Sequence, residues 1–458
     1  MNPAATRSLA RWLEYQQSVH AHAVDLTLER VREVAKRLAL LTPGCPVITV
    51  GGTNGKGSTA TTIAALFRAA GRRTGLFTSP HLNRYSERIR IDGQPAPDAA
   101  LVDAFARIEA ARGGITLTFF EYNALAALLL FRDAAVQAMV LEVGLGGRLD
   151  ATNILDADVA VLCSVGLDHR EWLGDTLEAI GREKAGIFRP GRPVVLGSSD
   201  MPASVLEAAQ RLECPLWRPG REYRWQVHAD GRWDFAATAT ATGWGVDAGA
   251  AGVATSTSMG MGVRADATAV KDAVLSGLPP PRLAGSIQYE NAATALTALT
   301  ALGTVPVTAA MAAEALAAVE LPGRFQVVSG AVEWILDVAH NEPAARVLAQ
   351  GLRTRPAARR TYAVIGVLAD KDVAAIGREL AGVIDEWVLC SLDAESRGLA
   401  SVELSQRLDR QIHGPRHEVA GVREGCALAR TLAQPGDRVV VCGSFHVVGP
   451  ALDWLGLY

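Results

Sequence analysis

The run Val50-Gly51-Gly52-Thr53-Asn54-Gly55-Lys56-Gly57-Ser58-Thr59 combines residue types suited to holding a phosphate. Glycines let backbone N–H groups turn inward on an anion, a helix N-terminus behind them adds positive potential, and Lys56 supplies a full charge. A hydroxyl just after the lysine, on Ser58 or Thr59, suits a Mg²⁺ that bridges phosphates. The bland alternative is a glycine turn with a surface lysine. Gly-Lys-Gly-Ser-Thr placed directly after an apolar run argues against it. The loop is also a variant: Gly57 stands where the common phosphate loop has its hydroxyl residue, and Val50 where it has its first glycine.

Two further groups follow apolar runs in the same manner. Glu142 lies near the end of Ala138 to Val143, and Asp168-His169 follow Asp158 to Ser164. In doubly wound sheets, ligands sit beyond the carboxyl ends of parallel strands, so Glu142, His169 and Lys56 are expected on one rim. Burying a carboxylate without a cation is costly, and a neutral imidazole can serve Mg²⁺ beside oxygen ligands. Arg84, Arg88 and Arg90 fall close together, as a solvated face or as a positive lip near an anionic substrate. Thr116 to Glu121 set two aromatics and a carboxylate at a helix start, where the dipole favours an anion. On local sequence Lys184 is a surface lysine of a helix from Asp175 to Arg189.

The elements that must position these groups alternate along the chain. Pro46 to Val50 is a buried strand, with a helix from Ala60 to Ala70 behind the loop. Further strands are predicted at 74–77, 138–143, 158–164 and 193–196, with helices at 98–112 and 119–132. Residues 8–40 read as an amphipathic cover broken at Asp25 to Arg30. Residues 234–275 are rich in Ala, Thr, Gly and Ser, either a β-rich elaboration or a partly mobile insertion. Glu320-Leu321-Pro322-Gly323-Arg324-Phe325 marks a boundary, dividing a domain of residues 1–322 from one of 323–458. Beyond it, strands at 333–338, 360–367, 386–391 and 438–443 alternate with helices, with no second phosphate loop. The fold class is α/β.

Composition narrows the class. At 458 residues, 49% hydrophobic and 20% charged, the chain suits a folded enzyme of two or three domains. A formal net charge of −3 gives no reason to expect a nucleic-acid partner or a membrane surface. Six scattered cysteines without a Cys-x-x-Cys pair indicate a reducing compartment and no structural zinc. With no signal-like N-terminus and no bilayer-long apolar run, a cytoplasmic location is expected.

Taken in order, the motifs resemble the folylpolyglutamate synthase/dihydrofolate synthase family of the Mur ligase superfamily. They run from Gly-Thr-Asn-Gly-Lys-Gly-Ser through Thr-Ser-Pro-His-Leu, Thr118-x-Phe-Glu121 and Glu-Val-Gly-Leu-Gly-Gly-Arg-Leu-Asp-Ala-Thr-Asn to Asp168-His169. Glu-Lys-Ala-Gly-Ile, Gln288-x-x-Asn291, Pro-Gly-Arg, Asp337-x-Ala-His-Asn and Gly443-Ser444-Phe445-His446 complete the series. Ser286 and Glu342 depart from the family pattern. The resemblance implies a Mur-ligase-like phosphate-loop ATP domain and a smaller Rossmann-like domain, with the active site between them. It implies that Thr53, Asn54, Gly55, Lys56, Gly57 and Ser58 hold ATP phosphates, with Asn291, Arg324 and Asp337 on the nucleotide. Mg²⁺, as two ions, is implied at Ser58, Ser79, Glu142, His169 and Lys184. Lys184 matches a lysine that the family carbamylates, and Lys56, Lys184 and His169 are the implied catalytic set. Thr118, Phe119, Phe120, Glu121, Leu149, Asp150 and Ala151 are implied around a pterin, with Phe119 and Phe120 as walls. His340 has no assigned role.

The implied reaction is amide formation driven by ATP, joining L-glutamate to dihydropteroate or a folate through an acyl phosphate. The segment Arg148-Leu149-Asp150 resembles bifunctional members, and the chain is expected to act as a monomer on small molecules only. Three alternatives compete: folylpolyglutamate synthesis alone, a Mur-type ligase of peptidoglycan precursors, and an ATP-dependent switch without ligase chemistry. The roughly 50 residues before the loop leave little room for the extra nucleotide-binding domain the second would need.

Overall fold

The computed structural model describes residues 7–22, 24–238, 273–393, 395 and 397–458. Its larger sheet has eight strands. Val47–Gly51 lies inside it, between Ala138–Glu142 on one side and Val159–Leu162 on the other, all parallel. Thr74–Phe77, Val194–Leu196 and Leu216–Trp217 extend the parallel set, and Ile89–Ile91 with Gln94–Pro95 make an antiparallel edge. Strands covered on both faces read as continuous apolar runs, and every residue of Val47–Gly51 and Ala138–Glu142 is buried. Register puts Val50 beside Glu142 and Gly51 beside Leu162. The phosphate loop, Glu142 and the turn at Asp168 therefore leave the sheet at one edge.

The helix after the loop starts at Lys56, four residues before the expected Ala60, and runs to Ala69. Gly55 takes a left-handed conformation (φ 85°) at its N-cap, so the lysine already lies in the first turn. This helix packs on Ile287–Leu302 and Ala309–Ala318, which bury alanines and leucines in one shared core. Leu9–Val19 and Glu29–Arg37 cover the other face, and the break between them is longer than expected, from His20 to Leu28.

The helix expected to reach Arg189 stops at Lys184 and tightens into a 3-10 turn, Ala185–Ile187. Gly186 packs so closely on Arg148 that a Cβ there would lie 2.3 Å from the arginine's own Cβ. Of the Ala/Thr-rich stretch, the two ends Trp233–Ala237 and Ala273–Leu278 pair antiparallel in a three-stranded sheet with Tyr223–Val227. The reading of residues 239–272 lies outside the described residues.

After Ala318 the chain enters a six-stranded sheet at Gln326–Val328. That edge strand is antiparallel to Glu333–Leu336, and Arg438–Cys442, Thr361–Ile365, Glu386–Cys390 and Arg416–Val419 continue in parallel. The first and last of these strands escaped the sequence reading, because half-exposed short edges carry little apolar signal. Among the described residues no helix is long and apolar enough to cross a membrane.

Candidate active site

One cavity of about 1820 Å³ opens between the carboxyl edges of the two large sheets. Every residue assigned a role from the sequence lines it: Thr53 to Ser58, Ser79, Thr118 to Glu121, Glu142, Leu149 to Ala151, His169, Lys184, Asn291, Arg324 and Asp337. A pocket for one drug-sized ligand measures about 300–1,000 Å³, so this space suits several ligands side by side.

At the phosphate loop, the Lys56 ammonium donates to the carbonyls of Gly52 (3.0 Å) and Thr53 (3.1 Å). A Cβ on Gly55 would come 2.8 Å from Asn291 Oδ1, so the loop and Asn291 close on each other only because that residue is glycine. Ser58 is buried in the first turn of the helix. Thr59 donates to Asn291 Oδ1 at 3.4 Å, which leaves the Ser58 hydroxyl as the one free to face a cation.

Glu142 is only 4% exposed and accepts a single hydrogen bond, from the Ser79 backbone N–H at 3.0 Å to Oε2. Burial raises its pKa, against the opposing pull of Lys56, Arg324 and Arg88. A carboxylate held this way, short of donors and aimed into a cavity, fits a cation. Among the described residues no three His, Cys, Asp or Glu side chains come together as a metal cluster. A Mg²⁺ here would rely on Glu142 and His169 plus hydroxyls and phosphate oxygens, the mixed oxygen-rich shell this ion favours. His169 caps a short helix at φ 52°, and burial lowers its pKa to about 4, keeping the ring neutral.

Lys184 corrects the surface assignment. It is 4% exposed, and its ammonium nitrogen donates to the Gly52 carbonyl at 3.0 Å. Burial, with Lys56 nearby, pushes its pKa down to about 7. Tertiary contact buries it: a Cβ on Gly147 would lie 2.8 Å from the Lys184 carbonyl, so the glycine loop after Glu142 packs directly on this helix end.

The arginine cluster divides. Arg88 is buried, donates to His81 Nδ1 at 2.7 Å and lies over the Phe119 ring. It faces the cavity, while Arg84 is exposed and Arg90 lines a separate, smaller pocket. At the end expected to take a pterin, Thr118 and Glu121 form a capping box: Thr118 Oγ accepts from Glu121 N, and the Glu121 carboxylate accepts from Thr118 N at 2.7 Å. Their polar groups therefore serve the helix start, with Arg30 as a further donor to Glu121. Asp150 likewise accepts from the N–H groups of Gly144, Leu145 and Thr152 and from the Thr152 hydroxyl. What it contributes to the cavity is a fixed loop shape rather than a free acceptor. Phe120 wedges against Gly144, where a Cβ would lie 2.5 Å from the ring.

From the second sheet, Asp337 accepts from the backbone N–H groups of Phe325 and Ala339, both at 2.8 Å. The Arg324 guanidinium lies 5.0 Å from the Phe445 ring centre. Several lining residues carry no role assigned from the sequence. The segment Asp25 to Thr27, read as a helix break, forms one wall, and Asp168, Asn341 and Lys371 meet at another. Lys371 had a usable signal, since it follows the carboxyl end of Thr361–Ile365, where small-lobe ligand groups belong.

Comparison with known proteins bears on this arrangement. Residues 50–232 match the Mur ligase middle domain, and residues 323–445 match the Mur ligase, glutamate ligase domain. The chain is 42% identical over 451 residues to the dihydrofolate synthase/folylpolyglutamate synthase of Escherichia coli, covering 98% of this chain and 96% of the relative. It is 37% identical to the Haemophilus influenzae protein of that name, covering 98% of each. It superposes on Escherichia coli FolC in complex with DHPP and ADP with a TM-score of 0.87, 41% identity and 99% coverage of both chains. A bifunctional folylpolyglutamate synthase/dihydrofolate synthase with Mn, AMPPNP and L-glutamate bound gives a TM-score of 0.84 at 40% identity, covering 100% of both chains.

Proposed function

This chain belongs to the dihydrofolate synthase/folylpolyglutamate synthase family of Mur ligases, and from that premise we propose how its residues divide the work. The protein is an ATP-dependent ligase that joins L-glutamate to a folate-type carboxylic acid, taking small molecules as its substrates. The observation that carries the assignment is the convergence of the phosphate loop, Glu142, His169, Lys184 and Arg324 on one cavity between two sheets. We place the division between the lobes at 322/323 and the protein in the cytoplasm.

ATP lies with its phosphates on the N–H groups of Asn54 to Ser58. Lys56 exchanges its two loop carbonyls for phosphate oxygens, and Asn291 borders the nucleotide. Arg324 reaches the phosphates from the linker, so it grips them only when the lobes are closed. The substrate carboxylate attacks the γ-phosphorus, the bond to the bridging oxygen breaks, and ADP leaves an acyl phosphate. The glutamate amine then attacks the acyl carbon, releasing inorganic phosphate and a proton as the amide forms. Mg²⁺, when bound, neutralises charge on the transferring phosphoryl group. Glu142, His169, Ser58 and Ser79 are the residues that would hold it.

A second cation would need one more oxygen donor, which an amine cannot be. Desolvation keeps the Lys184 nitrogen nucleophilic, and attack on CO₂ with loss of a proton would turn it into a carbamate with two oxygens. We assign Lys184 that role. Phe120 and Phe119 form apolar walls for the pterin, on a floor shaped by Leu149, Asp150 and Ala151. We favour both dihydropteroate and folylpolyglutamate as substrates.

Phosphate release measured with ATP and dihydropteroate, or with tetrahydrofolate, is expected to need L-glutamate and to match it in amide formed. ATP hydrolysis indifferent to both acid and amine would overturn the ligase reading.

A further inference from the structure

The groove between the lobes is crossed by a polar junction centred on Asp168, whose side chain is 8% exposed. Lys371, from the second lobe and with a side chain only 6% exposed, donates to its Oδ1 at 2.6 Å. Asn341 donates to its Oδ2 at 3.0 Å, and His340 Nε2 stands 3.7 Å from the same oxygen. Beside them the Asn54 and Asn341 amides pair reciprocally, at 3.0 and 3.2 Å, tying the phosphate loop to the second lobe. On its own side, Asp168 accepts from the His169 backbone N–H at 2.9 Å. That bond braces a residue held at φ 52°, a region that non-glycine residues enter at a cost.

We propose that Asp168 and Lys371 form a closing latch, in which arrival of the second lobe completes the Asp168 junction, fixes the His169 turn and seals the acyl phosphate from water. Asp168 and Lys371 act here as positioning residues. The inference rests on the ligase reading above.

A second carboxylate beside Lys371 suits the junction to a switch rather than a static brace. Besides Asp168, Lys371 contacts Asp370 on its own lobe at 3.5 Å, a carboxylate that also lies 3.5 Å from Arg397. When the lobes part, the ammonium therefore retains a carboxylate, and opening does not strand a buried charge. With the lobes together, removing one partner leaves Asp168 buried with its main cation gone, the situation that weakens a buried pair most.

The consequence falls on coupling. In a leaky cleft, water attacks the acyl carbon, the bond to the phosphate oxygen breaks and inorganic phosphate leaves. The carboxylate re-forms, protons pass to solvent, and ATP is consumed without an amide. Phosphate released per glutamate joined is therefore the readout, because a merely structural defect lowers both in step. For the unaltered protein the ratio is expected near about 1, and for Lys371→Met about fivefold higher or more.

With ATP and acid bound, small-angle scattering of Lys371→Met is expected to show the open shape at concentrations where the unaltered protein closes. Asp370→Asn leaves the Asp168 bond in place and removes only the contact within the second lobe, so its ratio is expected to stay near that of the unaltered protein. A Lys371→Met ratio unchanged from the parent, or an equal rise in Asp370→Asn, would overturn the latch. Absence of glutamate-dependent product from the unaltered protein would instead overturn the ligase reading, so the two failures are distinct.

Discussion

Replacing Lys184 with alanine is expected to lower turnover on the order of 100- to 1,000-fold while leaving the fold intact. The side chain ends the helix Leu177–Lys184 in a buried position, and its one hydrogen bond is to the Gly52 carbonyl. Deleting a desolvated amine removes a group that is costly to charge there, and alanine is the best helix former, so stability should hold. Lys184→Gln separates two explanations of the loss. It offers an N–H donor toward Gly52, one bond short of the lysine's reach, but it cannot take up CO₂. If the carbamate matters, glutamine fails as badly as alanine; if only the hydrogen bond matters, glutamine restores activity. Turnover in buffer stripped of CO₂ and then supplied with bicarbonate gives a second readout. The unaltered protein is expected to respond, and both variants to stay indifferent. Full activity in Lys184→Ala, with circular dichroism confirming the fold, would remove the residue from the site.

Lys56→Met is expected to reduce kcat/KM for ATP by about 1,000-fold, in line with the loss of a phosphoryl-clamping cation. Three effects coincide at this position. The charge that meets the γ-phosphate is gone. Glu142 loses the strongest of the cations that offset its burial, which pushes its carboxyl further toward the protonated, non-ligating form. Lys184 loses a repelling neighbour and becomes easier to protonate, which works against reaction with CO₂. Binding of the folate-type acid, which we place by Phe119 and Phe120, should change little. Steady-state kinetics with ATP varied, beside calorimetric binding of the acid, tests this. Equal weakening of both ligands would mean that Lys56 supports the general shape of the cleft rather than the nucleotide.

The parts legible in sequence are those whose signal is local. Buried parallel strands such as Val47–Gly51 and Ala138–Glu142 are unbroken apolar runs, and the glycine loop between strand and helix advertises its own purpose. Strand ends then locate Glu142 and His169 by the topology of the sheet alone. What local sequence misses is decided by distant contact. Lys184 sits among charged residues in a short amphipathic helix and reads as exposed; packing of Gly147 and the approach of Gly52 bury it. Thr118, Glu121 and Asp150 line the cavity, yet their polar atoms are consumed by the turns they build. The latch partners are 203 residues apart in the chain, a pairing no periodicity can announce.

Diffraction from crystals grown with AMPPNP and Mn²⁺, recorded at the manganese edge, tests the central claim most directly. The expected result is an anomalous peak about 2–2.5 Å from the Glu142 carboxylate and the His169 ring. The γ-phosphate should lie against Lys56, with extra density beyond the Lys184 nitrogen. A nucleotide or metal held elsewhere, with Glu142 still bonded only to the Ser79 N–H, would contradict it.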